Sequence, residues 1–280
     1  MTQPNLIGLV AAAMVAFAAN SVLCRMAIGS GYIDAYSFTS IRVVSGAFTL
    51  WIIYCISQKR ITSPVRNWQT GLSLTTYMVF FSLAYQFLDT GVGALLLFGS
   101  VQFTMLLVGF WQGERLSRMA WAGLLAAVVG LGLLLLPNEN ATATQPLYAV
   151  LMMIAGIGWG IYSLLGRGMI DPIESTCGSF IFCAPIVVAL SFLNTEAQHL
   201  ELNGLILAGV SGVMASALGY AVWYAALPHL RAISASTVQL SVPVIAALAG
   251  IILLGESLSG QLILACLLTV GGLAVVLVKR

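Results

Sequence analysis

The chain has 280 residues, 60% of them hydrophobic and only 7% charged, with a net charge of +2 and a mean hydropathy of +1.01. A water-soluble domain carries roughly 25% charged residues, so a surface this poor in charge must face lipid. The densest basic cluster is Lys59-Arg60 with Arg66 nearby, which excludes tracking of a nucleic-acid backbone.

A bilayer span needs about 20 mostly apolar residues. Windows near 6–24, 35–57, 68–88, 91–111, 119–136, 147–166, 175–193, 203–226, 232–254 and 261–278 meet that need. Pro64, Pro137, Pro146, Pro172 and Pro228 punctuate the short connections, as helix breakers should. The first window has the look of a leader, with Ala16-Phe17-Ala18 resembling a cleavage site. The residues before it carry no Lys or Arg and the apolar run continues to Cys24, so it reads as a span. The start of the fourth window is the least defined, because only Asp89 and Gly91 separate it from the third. Cys24, Cys55, Cys177, Cys183 and Cys266 lie in or beside apolar segments without a CxxC pair, and read as small hydrophobes in a packed bundle.

Basic residues in short loops set orientation. With the N-terminus in the cytoplasm, Lys59, Arg60, Arg66, Arg115, Arg118, Arg167, Arg231, Lys279 and Arg280 all fall inside, and Arg25 alone falls in an outer connection. The sequence also repeats itself. Gly113-Glu114-Arg115-Leu116-Ser117 closes the fourth window and Gly255-Glu256-Ser257-Leu258-Ser259 closes the ninth, an offset of 142 residues. The same offset takes Arg25 to Arg167, Ser21 to Ser163 and Gly130 to Gly272. Residues 1–140 and 141–280 are therefore expected to be two five-helix units. Five is odd, so the second enters the membrane from the opposite side. The expected fold is an all-α integral membrane protein of about ten transmembrane helices, built as two inverted five-helix repeats. Such repeats recur in secondary transporters, where two halves rock around a shared central site.

These residues resemble a known family. The Gly-Glu-x-Leu-Ser ends, the duplicated unit, Phe38-x-x-x-Arg42 in the second window and Tyr85-x-x-Leu88 closing the third are similar to the EamA type of the drug/metabolite transporter superfamily. The resemblance covers nearly the whole chain. It implies two EamA-like repeats, a cavity between them, and transport, commonly export, of amino acids or other small metabolites. Family members often carry a proline midway along the fourth and ninth helices. Here the ninth has Pro243, a candidate kink, whereas the fourth reads Ser100-Val101-Gln102.

Polar groups in the membrane interior are costly and mark candidate functional residues. Asn20 ends a four-residue stripe with Gly8, Ala12 and Ala16, and either lines the pathway or bonds across a helix interface. Tyr77, Phe81 and Tyr85 share a face of the third window, with Gln86 beside them. Trp159 and Tyr162 follow glycines in the sixth. Tyr220, Trp223 and Tyr224 follow the stripe Gly204, Ala208, Gly212 and Ser216 in the eighth. Aromatics with polar tips suit a metabolite with apolar and polar parts; the alternative is an interfacial belt or plain packing. Gln102 and Gln239 sit near the middles of the fourth and ninth windows as pathway residues or interhelical bonds. Arg42 lies about 10 Å deep and attracts a carboxylate, snorkels to the outer surface or bonds to backbone carbonyls. All nine carboxylates lie at or beyond window ends, so a buried carboxylate is not expected to drive transport. The expected partners are a small-molecule substrate, the lipid bilayer and, as an option, a second copy in a homodimer. No cofactor, metal site or nucleic acid is expected, and the chain is not expected to be an enzyme. Gly209-Val210-Ser211-Gly212 matches the pattern of intramembrane serine proteases, but neither His199 nor His229 is placed to serve Ser211. A channel or membrane scaffold is the other alternative, without the repeated filter loop or charged ring of a channel.

Overall fold

The structure, a computed structural model, describes residues 3–58, 64–113, 117–136, 145–166, 171–193, 199–226, 229–230 and 238–278. Among these residues the chain forms α1 (Gln3–Gly29), α2 (Ala35–Gln58), α3 (Trp68–Ala84), α4 (Thr90–Trp111), α5 (Arg118–Leu133), α6 (Gln145–Gly166), α7 (Pro172–Leu193), α8 (Leu202–Ala226), α9 (Ser241–Leu254) and α10 (Gly260–Val278). Seven of these are long and apolar enough to cross a membrane. The exceptions are α3, α5 and α9, at 17, 16 and 14 residues. The only strand-like pairing among the described residues is the isolated bridge between Ile33 and Leu200. Apolar side chains cover the outside: Ile7, Phe48, Ile56, Trp111, Ile252 and Leu267 are all strongly exposed, the pattern of a bundle solvated by lipid rather than water.

The helices pack as two copies of one unit. With each helix of the first half matched to the one five places later, α2 packs on α7, α4 on α9 and α5 on α10, each a pair of equivalents. The contact of α3 with α6 is matched by that of α8 with α1, and the contact of α4 with α6 by that of α9 with α1. The local chemistry repeats too. Asp34 Oδ1 accepts the N–H groups of Tyr36 and Ser37 to cap α2, and Asp171 Oδ1 accepts those of Ile173 and Glu174 to cap α7. Ser117 Oγ caps α5 at the N–H of Ala120, and Ser259 Oγ caps α10 at the N–H of Leu262. Gly113 and Gly255 turn left-handed after α4 and α9, with φ of 88° and 69°. The Gly-Glu-x-Leu-Ser motif is thus a helix stop followed by a helix start. Its Glu114, Arg115 and Leu116 lie outside the described residues, as do Arg167, Arg231 and Lys279.

Two helices end earlier than their apolar windows. α3 stops at Ala84, where Tyr85–Leu88 form a turn, and α5 stops at Leu133. α8 is helical throughout but widens to a π-helical stretch over Ser211–Leu218, a deformation found often at functional sites. Pro243 lies in the first turn of α9 and has no N–H for the Gln239 carbonyl, and the turn at Leu240 ahead of it keeps right-handed dihedrals, φ −67° and ψ −13°.

The pair α5–α10 meets backbone to backbone. A Cβ on Gly123 would stand 2.5 Å from the Gly272 carbonyl oxygen, and one on Gly272 would crowd the Gly123 carbonyl in return. The neighbouring Gly271 has open space around it. Gly272→Val should therefore cost about 1–3 kcal/mol through overpacking and lower the melting temperature of the detergent-solubilised protein by several degrees. Gly271→Val should leave it unchanged.

Candidate functional site

Between the halves lies a small cavity lined by Phe17, Asn20 and Ser21 of α1, Tyr77 and Phe81 of α3, Leu97 and Phe98 of α4, Trp159 of α6 and Tyr220 of α8. Its volume is about 10 Å³, room for about one water. Trp159 is its hub: its ring lies 5.0 Å from those of Tyr77 and Tyr220 and 5.9 Å from that of Phe17, centroid to centroid. Such edge and tilted contacts are favourable geometries for aromatic pairs.

A polar network runs behind these rings. Asn20 Nδ2 donates to the Tyr77 hydroxyl at 3.0 Å, and Arg42 Nη2 donates to the same oxygen at 3.1 Å. Arg42 Nε donates to Ser216 Oγ at 3.0 Å, and Ser211 Oγ donates to Asn20 Oδ1 at 2.7 Å. The π-helical stretch of α8 therefore supplies both serines, one to α1 and one to α2. The Arg42 guanidinium is fully buried and lies 5.0 Å from the Phe81 ring and 5.4 Å from the Tyr77 ring, which offsets part of its lost hydration.

The sequence candidates fall into three groups. Asn20, Tyr77, Trp159 and Tyr220 line the cavity together. Arg42, Tyr162 and Trp223 stand one layer out. Arg42 touches Tyr77, Tyr162 lies 5.5 Å from Trp159, and Trp223 lies 6.0 Å from Phe17. The rest are elsewhere. Tyr85 is buried beside Thr90, its hydroxyl on the Thr90 carbonyl. Gln86 offers its backbone carbonyl to Arg25, and Tyr224 packs near Gly166. Gln102 and Gln239 are buried outside the cavity lining. Ser211 donates its hydroxyl to Asn20, while His199 pairs with Glu201 at an exposed position.

The sequence reading missed two features. Phe17, Ser21, Leu97 and Phe98 line the cavity but look like ordinary core residues, whereas Phe81 shares the α3 face already marked by Tyr77 and Tyr85. The second is an ionic clasp one helical turn beyond Ser21. Arg25 Nη1 donates to the carbonyls of Tyr85 and Gln86, its Nη2 reaches Asp89 at 3.5 Å, and its Nε lies 3.7 Å from Glu256. Glu256 accepts the Thr90 N–H and hydroxyl at 2.8–2.9 Å. The clasp ties the end of α1 to the α3–α4 turn and the α9–α10 connection. Burial pushes the Glu256 carboxyl above its ordinary range, against the opposing pull of the Thr90 hydrogen bonds and of Arg25.

The Tyr77 hydroxyl is the shared acceptor of the network. Tyr77→Phe should strand two buried donors, one of them charged, and cost about 2–4 kcal/mol. Thermal unfolding in detergent should show a larger loss for it than for Tyr162→Phe, whose hydroxyl meets neutral groups, Thr176 at 3.4 Å with Tyr224 and Ser179 near it, and leaves no charged donor stranded.

Known proteins share this architecture. A solved crystal structure superposes with a TM-score of 0.66 at 17% identity, covering 100% of this chain and 99% of that one, a likeness of fold alone. An uncharacterized protein of Pseudomonas aeruginosa is 46% identical over 268 residues, covering 96% of this chain and 93% of the other. A threonine/homoserine exporter of Salmonella typhimurium is 30% identical over 199 residues, 70% of this chain and 65% of that one. A probable amino-acid metabolite efflux pump from the same species is 26% identical over 200 residues, 66% and 67% of the two chains. The profile of one family matches twice, over residues 5–136 and 146–278. With two inverted five-helix repeats, lipid-facing surfaces and matches in both halves, this multi-pass membrane protein belongs to the EamA-like transporter family.

Proposed function

We propose that the chain is a secondary transporter that exports a small metabolite, an amino acid or a related compound, across the inner membrane by alternating access. The units meet near residue 140, and both termini lie in the cytoplasm. The observation that carries this reading is the cavity itself. It is built by α1, α3 and α4 of one half and α6 and α8 of the other, and polar tips project into an aromatic enclosure. A site shared by inverted halves is what exchange of access between two sides requires. Names of relatives as amino-acid exporters support the substrate class, and the basic residues predicted inside support the orientation.

In this reading the Arg25–Asp89–Glu256 clasp shuts the outer end of the pathway. In the sequence repeat, Glu114 and Arg167 are the equivalents of Glu256 and Arg25. Opening to the outside separates Arg25 from Glu256. Because the Glu256 carboxyl sits above its ordinary range, acidification neutralises it sooner than an exposed glutamate and weakens its hold on Arg25.

The functional test is counterflow in proteoliposomes preloaded with candidate amino acids, chosen by comparing metabolite export from cells with and without the gene. Saturable counterflow is expected. Trp159→Ala should reduce it at least tenfold at normal membrane yield, while Phe48→Ala, on the lipid face, should not. Unsaturable flux, or full activity in Trp159→Ala, would count against the reading. For the clasp, Ser21→Cys in a background free of the five native cysteines reports access. Glu256→Gln should speed its labelling by an impermeant thiol reagent from the outer side several-fold at fixed pH. Faster labelling from the inner side instead would reverse the orientation.

A further inference from the structure

The central cavity has hydrogen-bond donors to spare. Asn20 spends its carbonyl on Ser211 and donates its amide nitrogen to Tyr77. The Tyr77 oxygen already accepts from Asn20 and Arg42, which fills its acceptor positions, so its own O–H must donate. Tyr220 lines the same cavity with its ring 5.0 Å from that of Trp159, and its hydroxyl is buried without a hydrogen-bond partner. The filled Tyr77 oxygen has no room to accept from it, so the Tyr220 O–H is a further donor to spare. The Trp159 indole N–H, which can only donate, is buried without a protein acceptor, and so is Arg42 Nη1 behind Tyr77. Arg42 is a fixed positive charge, and among the described residues no carboxylate pairs with it. Unmet donors and an unbalanced cation in a dry interior are costly, and here both are concentrated at one place.

We propose that the cavity binds the transported solute by its carboxylate, which accepts hydrogen bonds from Trp159 Nε1 and from the hydroxyls of Tyr77 and Tyr220. Arg42 supplies the balancing charge from behind Tyr77 as a positioning residue. This rests on the carrier reading and narrows it. The carboxylate is the required feature, and an ammonium is not, because no described Asp or Glu lies on the cavity wall. The cavity as it stands has room for about one water, so the solute enters only when the halves part, with Phe17, Phe81 and Phe98 flanking its body.

The test measures binding to the full chain in nanodiscs, by thermal shift and by intrinsic tryptophan fluorescence. The probes are leucine, its deaminated acid 4-methylpentanoate, its decarboxylated amine 3-methylbutylamine, and straight-chain monocarboxylates of two to eight carbons. Carboxylates with and without the amine should bind, and the amine should not. Trp159→Phe keeps the ring and removes the N–H, and should weaken carboxylate binding about tenfold. Tyr220→Phe should do the same. Arg42→Gln should abolish the preference for acid over amine, and Arg42→Lys should restore part of it, a selectivity that a merely structural arginine would not control. Binding of the amine but of no carboxylate, no binding by any carboxylate, or unchanged carboxylate affinity in Trp159→Phe would each overturn the proposal. Carboxylate binding without counterflow would instead sink the carrier reading and leave this site standing. Counterflow of a solute lacking a carboxylate would do the reverse.

Discussion

One phenolic oxygen holds the middle of this membrane protein together. The Tyr77 hydroxyl accepts hydrogen bonds from Asn20 on α1 and Arg42 on α2, while Arg42 and Asn20 are themselves tied to Ser216 and Ser211 on α8. Four helices from both halves converge on a few polar atoms where the surroundings offer no water to replace a lost partner. The hydrophobic effect does little to hold helices against one another inside lipid, so interhelical hydrogen bonds and close packing must do it. The network also orders the cavity, because it aims Tyr77 and fixes which of its lone pairs are spent.

The inverted repeat is visible at the level of single caps. Asp34 and Asp171 begin equivalent helices with the same pair of hydrogen bonds, and Ser117 and Ser259 begin α5 and α10 with one matching bond each. The Gly-Glu-x-Leu-Ser motif survives in both halves for a physical reason. Glycine permits the left-handed residue that ends one helix, and serine caps the next. Between them Glu256 does something a cap does not require: it reaches back to Thr90 and Arg25. The halves are not identical, since α8 widens over Ser211–Leu218 whereas its equivalent α3 is a regular α-helix.

The spans were legible because each apolar window is long and the connections hold the charges. Asp89 and Gly91 suffice to separate α3 from α4, since Tyr85–Leu88 already leave the helix. The helix ends at Ala84 and Leu133 were hidden because Tyr85, Leu134 and Leu135 are as apolar as the turns before them. Within the site, Asn20, Tyr77, Trp159 and Tyr220 stood out as polar tips among apolar neighbours. Phe17, Leu97 and Phe98 carry no such mark, and only their position against Trp159 and Tyr77 distinguishes them from core. Arg25 and Glu256 were visible as charges, but a charge at a helix end serves topology as readily as a clasp, and only distance decides between the two. The π-helical stretch leaves no trace in composition.

The two kinds of helix contact also differ in what they permit. At α5–α10, glycine faces bring Gly123 and Gly272 backbone to backbone, and separating them would open a void that no lipid tail fills well. At the centre, contacts run through hydroxyls, an amide and a guanidinium, groups that can exchange one partner for water or a solute at small net cost. Under the carrier reading, the rigid seam and the yielding seam therefore fall in different places. The α5–α10 pair acts as the fixed edge, and the polar contacts of α1, α2, α3 and α8 give way around the cavity. The clasp belongs to the yielding set, since Arg25 divides its bonds among two carbonyls, Asp89 and Glu256, so no single loss is large. A hold divided among several part-buried contacts can be released by a modest change at any one of them, as a buried glycine interface cannot.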